Sequence, residues 1–343
     1  MKSSKKGIQF LILAGVLFGM VFAVWAAETQ KADVLEAVKV KTPPALDGKM
    51  DALWKKATPM TVKVIDGANL PNGETDVTLR SVYTKDKVYF LVQYKDATHS
   101  LRRSPWQKQT DGSWKKLKDP NDKGGDNNLY YEDKFGWAWN IKSPAFAKEG
   151  CAAACHIGEG KPFGNKYLGN KGERFDMWHL KGVRTATQGQ ADDGYVDDTL
   201  YDKEKTPQAG RKNDPKTGGG YEDNQTEDKK MPRFALGKNK PAPPYWIVDA
   251  EKEPFADASY KAGDEVPGIV VAPFSGDRGD VAVRMSWVKG TWTIEFARKL
   301  VTGSEFDVQF DDLKKSYAFG IAVFDNAQVR HAYDTDVHFL KFK

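Results

Sequence analysis

The chain has 343 residues, 40% hydrophobic and 29% charged, with only two cysteines. That composition suits a globular protein with a real core and excludes a disordered chain or a disulfide-dense mini-domain. The formal net charge is +5, and removal of the three leader lysines leaves +2, too near neutrality for a nucleic-acid-binding surface.

Lys2, Lys5 and Lys6 precede an apolar stretch, Gly7 to Trp25, and Val24-Trp25-Ala26 offers a small-residue cleavage site. We read residues 1–26 as a secretory signal, cleaved to leave a mature chain from Ala27. The stretch is also long enough to act as an uncleaved anchor. No later segment is long and apolar enough to span a bilayer. The mature protein is expected in the periplasm or an equivalent exported compartment, as one domain over 27–343.

The mature chain reads as mostly β. Asp76 to Tyr83 and Val88 to Tyr94 alternate around Lys85-Asp86, which predicts a hairpin. Ser104 to Asn128 is polar but contains Trp106 and Trp114, and we expect an insertion at about 104–128 that is either a solvated loop or an arm against a partner subunit, the two tryptophans favouring contact. Phe135, Trp137 and Trp139 alternate in a further strand. Residues 188–244 lack apolar periodicity and read as a second long polar insertion. Within it, Asp192-Asp193 and Asp197-Asp198 do not match the spacing of an EF-hand loop and read as a solvated turn. Val281 to Trp287 and Trp292 to Phe296 flank a turn at Lys289-Gly290. Tyr317 to Phe324 suits a central strand, and His338, Leu340 and Phe342 alternate at the end. The fold class is therefore all-β, a β-sandwich with long polar loop insertions.

The chemistry concentrates in Cys151-Ala-Ala-Ala-Cys155-His156. Both cysteines of the chain and one of its five histidines lie there. Two thiols adding to the vinyl groups of a haem, with the adjacent imidazole on the iron, account for the cluster. The usual motif has two residues between the cysteines, and this one has three. The small residues Ala152 to Ala154 let a ring approach the backbone. A Cys151–Cys155 disulfide, a zinc site with His156 and a fourth ligand such as His179, or two unpaired thiols would also account for these residues. Export suits both covalent haem attachment and disulfides. No paired nucleophile and base, phosphate loop or Walker-type motif is present.

Leu46-Asp47-Gly48 with Asp51 and Trp54, the hairpin Asp76 to Asp96, Phe135 to Trp139, Asp176-Met177-Trp178-His179 and Phe319 to Asp325 together resemble the ethylbenzene-dehydrogenase-type haem-binding domain. Leu46-Asp47-Gly48 with Asp51 and Trp54 looks like the opening strand of that domain, and the same opening occurs in carbohydrate-binding-module-like β-sandwiches. The resemblance implies a γ subunit of a molybdenum enzyme of the dimethyl sulfoxide reductase family, with its haem at the end of an iron–sulfur chain. The Cys-x₃-Cys-His insertion is most similar to nitrite oxidoreductase γ subunits. The implied partners are iron–sulfur and molybdenum subunits and an external electron acceptor such as a soluble cytochrome.

Family members with non-covalent haem hold the iron with methionine and lysine. Here the methionine loop carries Cys151 to His156, and the lysine position falls at or beside Arg330-His331. Arginine stays protonated, whereas neutral imidazole can coordinate. We therefore expect one covalent haem c on Cys151 and Cys155, with His156 and His331 as axial ligands. Met177 and His179 are the alternatives, and a Met/His pair would raise the potential. Trp137, Trp139 and Trp178 are candidates to wall the haem. Lys299, beside Arg298, could meet a propionate, while His99 and His338 read as structural. Few ligands remain for a second, non-covalent haem. The protein is expected to be an electron-transfer subunit rather than an enzyme itself. The rival functions are a free soluble cytochrome and a secreted carbohydrate-binding sandwich that uses exposed tryptophans.

Overall fold

Side-chain alternation builds the strands and the layers together. In the segment Lys87–Lys95, Val88, Phe90, Val92 and Tyr94 turn into the main core. Tyr89 and Leu91 turn the other way and pack with Trp54, Val82 and Ala297. The computed structural model describes residues 34–122, 124, 129–155 and 166–343, with the backbone alone for 152–155. The leader read at 1–26 lies outside these residues. No helix among the described residues is long and apolar enough to cross a membrane.

The main sheet comprises β1 (Val34–Lys39), β2 (Met60–Val64), β3 (Thr75–Tyr83), β4 (Lys87–Lys95), β5 (Lys134–Lys142), β6 (Arg174–Lys181), β7 (Asp192–Asp197), β8 (Arg211–Asn213), β9 (Ala282–Val288), β10 (Thr291–Lys299), β11 (Ser316–Phe324), β12 (Ala332–Tyr333) and β13 (His338–Phe342). Their order is β8-β7-β6-β5-β11-β13-β1-β3-β4-β10-β9, with β2 on β3 and β12 on β11. Strand β1 runs parallel to both β13 and β3 and so joins the two halves of the sheet.

The halves face each other across an aromatic core, which makes the fold a β-sandwich. Phe90 meets Trp137 at a centroid distance of 4.6 Å, Phe296 meets Trp137 at 5.8 Å, and Trp137 stacks on Trp139 at 5.1 Å. Such rings bury large areas and prefer these tilted or offset contacts. The β9–β10 turn at Lys289-Gly290 has positive φ at both residues, 49° and 76°, as a two-residue hairpin requires.

Three sequence expectations need correction. Leu46-Asp47-Gly48 is a loop rather than an opening strand. The amides of Asp47 and Gly48 and the indole of Trp54 all donate to the buried Glu295 carboxylate, at 2.8, 2.7 and 2.8 Å, so the segment wraps an acid instead of pairing along a ladder. The 188–244 stretch is not simply loop, because it supplies β7 and β8 and a strand, Gly218–Asp223, that pairs with Ile269–Ser275. Glycine and acidic residues there hide the usual apolar alternation. The 104–128 stretch forms a short hairpin, Trp106–Lys108 with Trp114–Lys116, whose tryptophans are buried with Ala235, Tyr260 and Val266. They fill a satellite core of the chain's own and are not displayed to a partner.

Candidate functional site

Strands β5, β6 and β11 carry large residues on one face and small ones on the other. Phe135, Trp137 and Trp139 on β5, Trp178 on β6, and Phe319 and Ile321 on β11 all belong to the main core. On the outer face stand Gly136 and Ala138, Met177 and His179, and Gly320 and Ala322, and these line a cleft. The period of two that fills the core therefore empties the opposite face.

The helix α1 (Pro144–Cys155) covers part of that outer face. The Ser143 hydroxyl accepts from the Phe146 amide at 3.3 Å and starts it. Phe146 anchors it against Phe175, Leu168, Val196 and Ala318. At Gly150 the backbone takes φ 78°, and a β-carbon there would lie 2.7 Å from the Asp336 carbonyl oxygen. This break sets Cys151 against β11. A β-carbon on Gly320 would stand 2.6 Å from the Cys151 sulfur, so the glycine makes room for the thiol.

Cys151, Met177, His179 and His331 all line this one cleft. Phe324 lies between the two histidines, with ring centroids 5.5 Å from His179 and 4.8 Å from His331. Cys155 is the last residue of α1, but its side chain and all of His156 lie outside the described residues.

The two histidines differ in how their rings are held. His331 Nδ1 is 3.0 Å from the Val329 carbonyl oxygen, which only accepts, so Nδ1 carries the proton and the lone pair is on Nε2. His179 Nδ1 is 3.3 Å from an Arg211 guanidinium nitrogen, which only donates. In the neutral ring that leaves the proton on Nε2, a buried atom without a hydrogen-bond partner. Burial, and then the positive charges of Lys181, Lys134, Arg211 and Arg184, hold His179 well below the usual imidazole range. In the neutral rings His331 thus carries its proton on Nδ1 and His179 on Nε2. Arg211 and Lys166 also line the cleft, so its rim is cationic.

Of the three tryptophans expected around the haem, Trp137 lines the cleft, and Trp139 and Trp178 do not. All three side chains alternate inward, and each is fully buried in the core. Trp137 meets the cleft only between the small residues Gly136 and Ala138. His338 is buried beside Phe319 and pairs with Asp334. Lys299 is exposed, while its neighbour Arg298 is buried among aspartates. None of the nine tryptophans among the described residues is exposed, so the flat platform expected for a sugar-binding face is not formed by them.

The small floor and Arg211 are what sequence reasoning missed. Phe-Gly-Trp-Ala-Trp at 135–139 does carry the signal, because a strand that alternates large with very small residues leaves one face hollow.

A family model described as ethylbenzene dehydrogenase matches residues 51–336. No curated protein matches the chain. Among solved structures, the chain is similar to a family 9 carbohydrate-binding module from Caldicellulosiruptor kristjanssonii in complex with cellotriose, at 7% identity over 91% of this chain and 94% of that one, with a TM-score of 0.34. A second structure from that organism, a family 9 module in complex with glucose, matches at 8% identity over 90% of this chain and 95% of that one, with a TM-score of 0.33.

Proposed function

This chain belongs to the ethylbenzene dehydrogenase family, and on that premise we propose that it is a haem-bearing electron-transfer subunit. In this role it is the γ-type subunit of an exported molybdenum oxidoreductase. It takes electrons from an iron–sulfur subunit and passes them to an external acceptor such as a soluble cytochrome. The Cys-x₃-Cys-His pattern favours a partner of the nitrite oxidoreductase class.

What carries the proposal is the convergence of Cys151, Met177, His179 and His331 on one cleft floored by Gly136, Ala138, Gly320 and Ala322. The floor admits a flat ring, since no side chain larger than a methyl rises from those four positions. Cys151 and Cys155 would hold the cofactor covalently, and His156 and His331 would ligate its iron. When bound, haem would supply a one-electron redox couple, and with two protein ligands on its iron it would leave no place for a substrate.

The chain's own residues set the environment. The Val329 carbonyl orients His331 and makes its Nε2 more basic. Arg211 and Lys166 favour an anionic edge on the bound ring. His179 is committed through Arg211 to the donor form and serves as a hydrogen-bond donor rather than an iron ligand. Met177 packs with Cys151 and Phe175 in the satellite cluster and is assigned to packing.

Two measurements test this. Affinity purification from the native source should bring down iron–sulfur and molybdenum-containing subunits, and recovery of the chain alone would favour a free cytochrome. His331→Ala should convert a six-coordinate spectrum to a five-coordinate one, while His179→Phe leaves six-coordination intact. The opposite pattern would reassign the ligand.

A further inference from the structure

A second group of chemistry-bearing residues lies away from the cleft. Asp176 on β6, Asp193 on β7, Asp214 after β8, Asp280 before β9 and Asp307 between β10 and β11 converge at one end of the sandwich. Oxygens of Asp176, Asp193 and Asp307 lie within 4.8 Å of one another, and all three residues are buried. Asp214 is within hydrogen-bonding reach of Asp307, and Asp280 of Asp193.

The second observation concerns donors. Asp214 and Asp307 are 3% and 2% exposed, yet neither oxygen of either carboxylate has a hydrogen-bond partner. One oxygen each of Asp176, Asp193 and Asp280 is also buried and unsatisfied. Buried carboxylate oxygens are ordinarily paired, so such a group calls for an unseen ion or proton. Arg298 is the cation that meets the cluster, 3.0 Å from Asp176 and 3.8 Å from Asp307, and it cannot balance five carboxylates.

The other buried aspartate trio makes the contrast. Asp96, Asp133 and Asp325 also lie within 4.8 Å of one another. There the Thr98 and Ser100 amides, the Asn326 amide, the Thr98 hydroxyl and the Trp292 indole all donate to the carboxylates. That trio is served by the protein itself. In the Asp307 cluster the Trp178 indole, the Val308 amide and Arg298 donate to one oxygen of Asp176 and the Gly194 amide to one of Asp193, while Asp214 and Asp307 receive no hydrogen bond from the protein.

We propose that Asp176, Asp193, Asp214, Asp280 and Asp307 form a buried Ca²⁺ site. The donors are all oxygen, which suits a hard cation and not zinc. They come from five separate segments, and four of the five residues are buried, with Asp280 partly so. Ca²⁺ accepts six to eight oxygens in irregular geometry, whereas Mg²⁺ demands a near-ideal octahedron and retains several waters. The alternative occupant is protons shared between neighbouring acids. Burial pushes Asp214 up to about 9, with the adjacent Asp307 carboxyl next, so in the absence of a cation its carboxyl would hold a proton at neutral pH. Through Asp176 the site also pins β6, whose next residue, Met177, faces the cleft. The assignment does not depend on the cofactor proposed above.

The test uses the full chain, with metal content measured by mass spectrometry and thermal unfolding followed with EDTA, Ca²⁺ or Mg²⁺. Stoichiometric Ca²⁺, a Tm lowered by EDTA and restored by Ca²⁺ but not by equal Mg²⁺, is the expected result. The shift should grow with the logarithm of free Ca²⁺. Asp214→Asn with Asp307→Asn, which mimics the protonated acids in shape, should lose the Ca²⁺ response. A wild-type protein without Ca²⁺ whose Tm is the same in EDTA and in Ca²⁺ would overturn the proposal in favour of shared protons. An equal response to Mg²⁺ would overturn the choice of cation. Both wild-type readouts stand even if the double variant fails to fold.

Discussion

The two faces of the β5–β6–β11 sheet are written by the same strands and differ completely in what they do. The inner face carries Phe135, Trp137, Trp139, Trp178 and Phe319, packed ring against ring. The outer face carries glycine and alanine at four positions, with Met177 and His179 beside them. Stability is concentrated on the face where volume is supplied, and the candidate site on the face where volume is withheld. Mutations should therefore separate the two properties.

The largest effect is expected on the inner face. Trp139→Ala removes a fully buried ring that touches Trp137, Trp178, Phe310 and Phe319. It should cost about 3–5 kcal/mol, read as a lower midpoint in chemical denaturation. Any haem retained by the folded fraction should keep its spectral shape, and a changed axial spectrum would break the separation of the faces.

Gly320→Val probes the outer face. The new side chain meets the Cys151 sulfur, so overpacking should cost about 1–3 kcal/mol. Haem content per folded chain should fall much more than stability does. Unchanged haem content would remove Gly320 from the site. Gly136 has more room, since an added β-carbon would meet Ala322 at 3.5 Å. Gly136→Ala is therefore expected to shift the absorption bands with little loss of either property.

The smallest effect lies away from both faces. Burial, and next the charge of Asp96, push Asp325 up to about 7. An unfolded aspartate titrates near about 3.9. Between those values the native state holds a proton that the unfolded state has released, so stability should fall as pH rises through that window. Tm measured from pH 4 to 8 should show this decline, and Asp325→Asn should flatten it. A Tm that rises over the window in wild type would contradict the sign.

Much of the fold was legible because period-two alternation is a local signal. The hairpin at Lys85-Asp86, the β9–β10 turn at Lys289-Gly290 and the central strand Tyr317 to Phe324 all read correctly from neighbours in sequence. The direction of the tryptophans did not, since alternation gives two faces without saying which is inside. Leu46-Asp47-Gly48 was misread because its partner, Glu295, is far along the chain. Asp192 and Asp193 look like a solvated turn in sequence. In the fold they are buried, Asp192 with Lys181 and Arg278 and Asp193 with distant aspartates. The Cys-x₃-Cys-His cluster was visible at once, because its chemistry lies in adjacent residues. The rest of the cleft comes from strands that only the sheet brings together.

The most direct test of the central claim is the visible spectrum of the exported protein, oxidised and dithionite-reduced, before and after acid–acetone extraction. The account predicts a Soret band and a sharp reduced α band that stay with the polypeptide, and that are lost when Cys151 and Cys155 are both replaced by alanine. A colourless protein from a host competent in haem attachment, or a chromophore extracted entirely into the solvent, would contradict it.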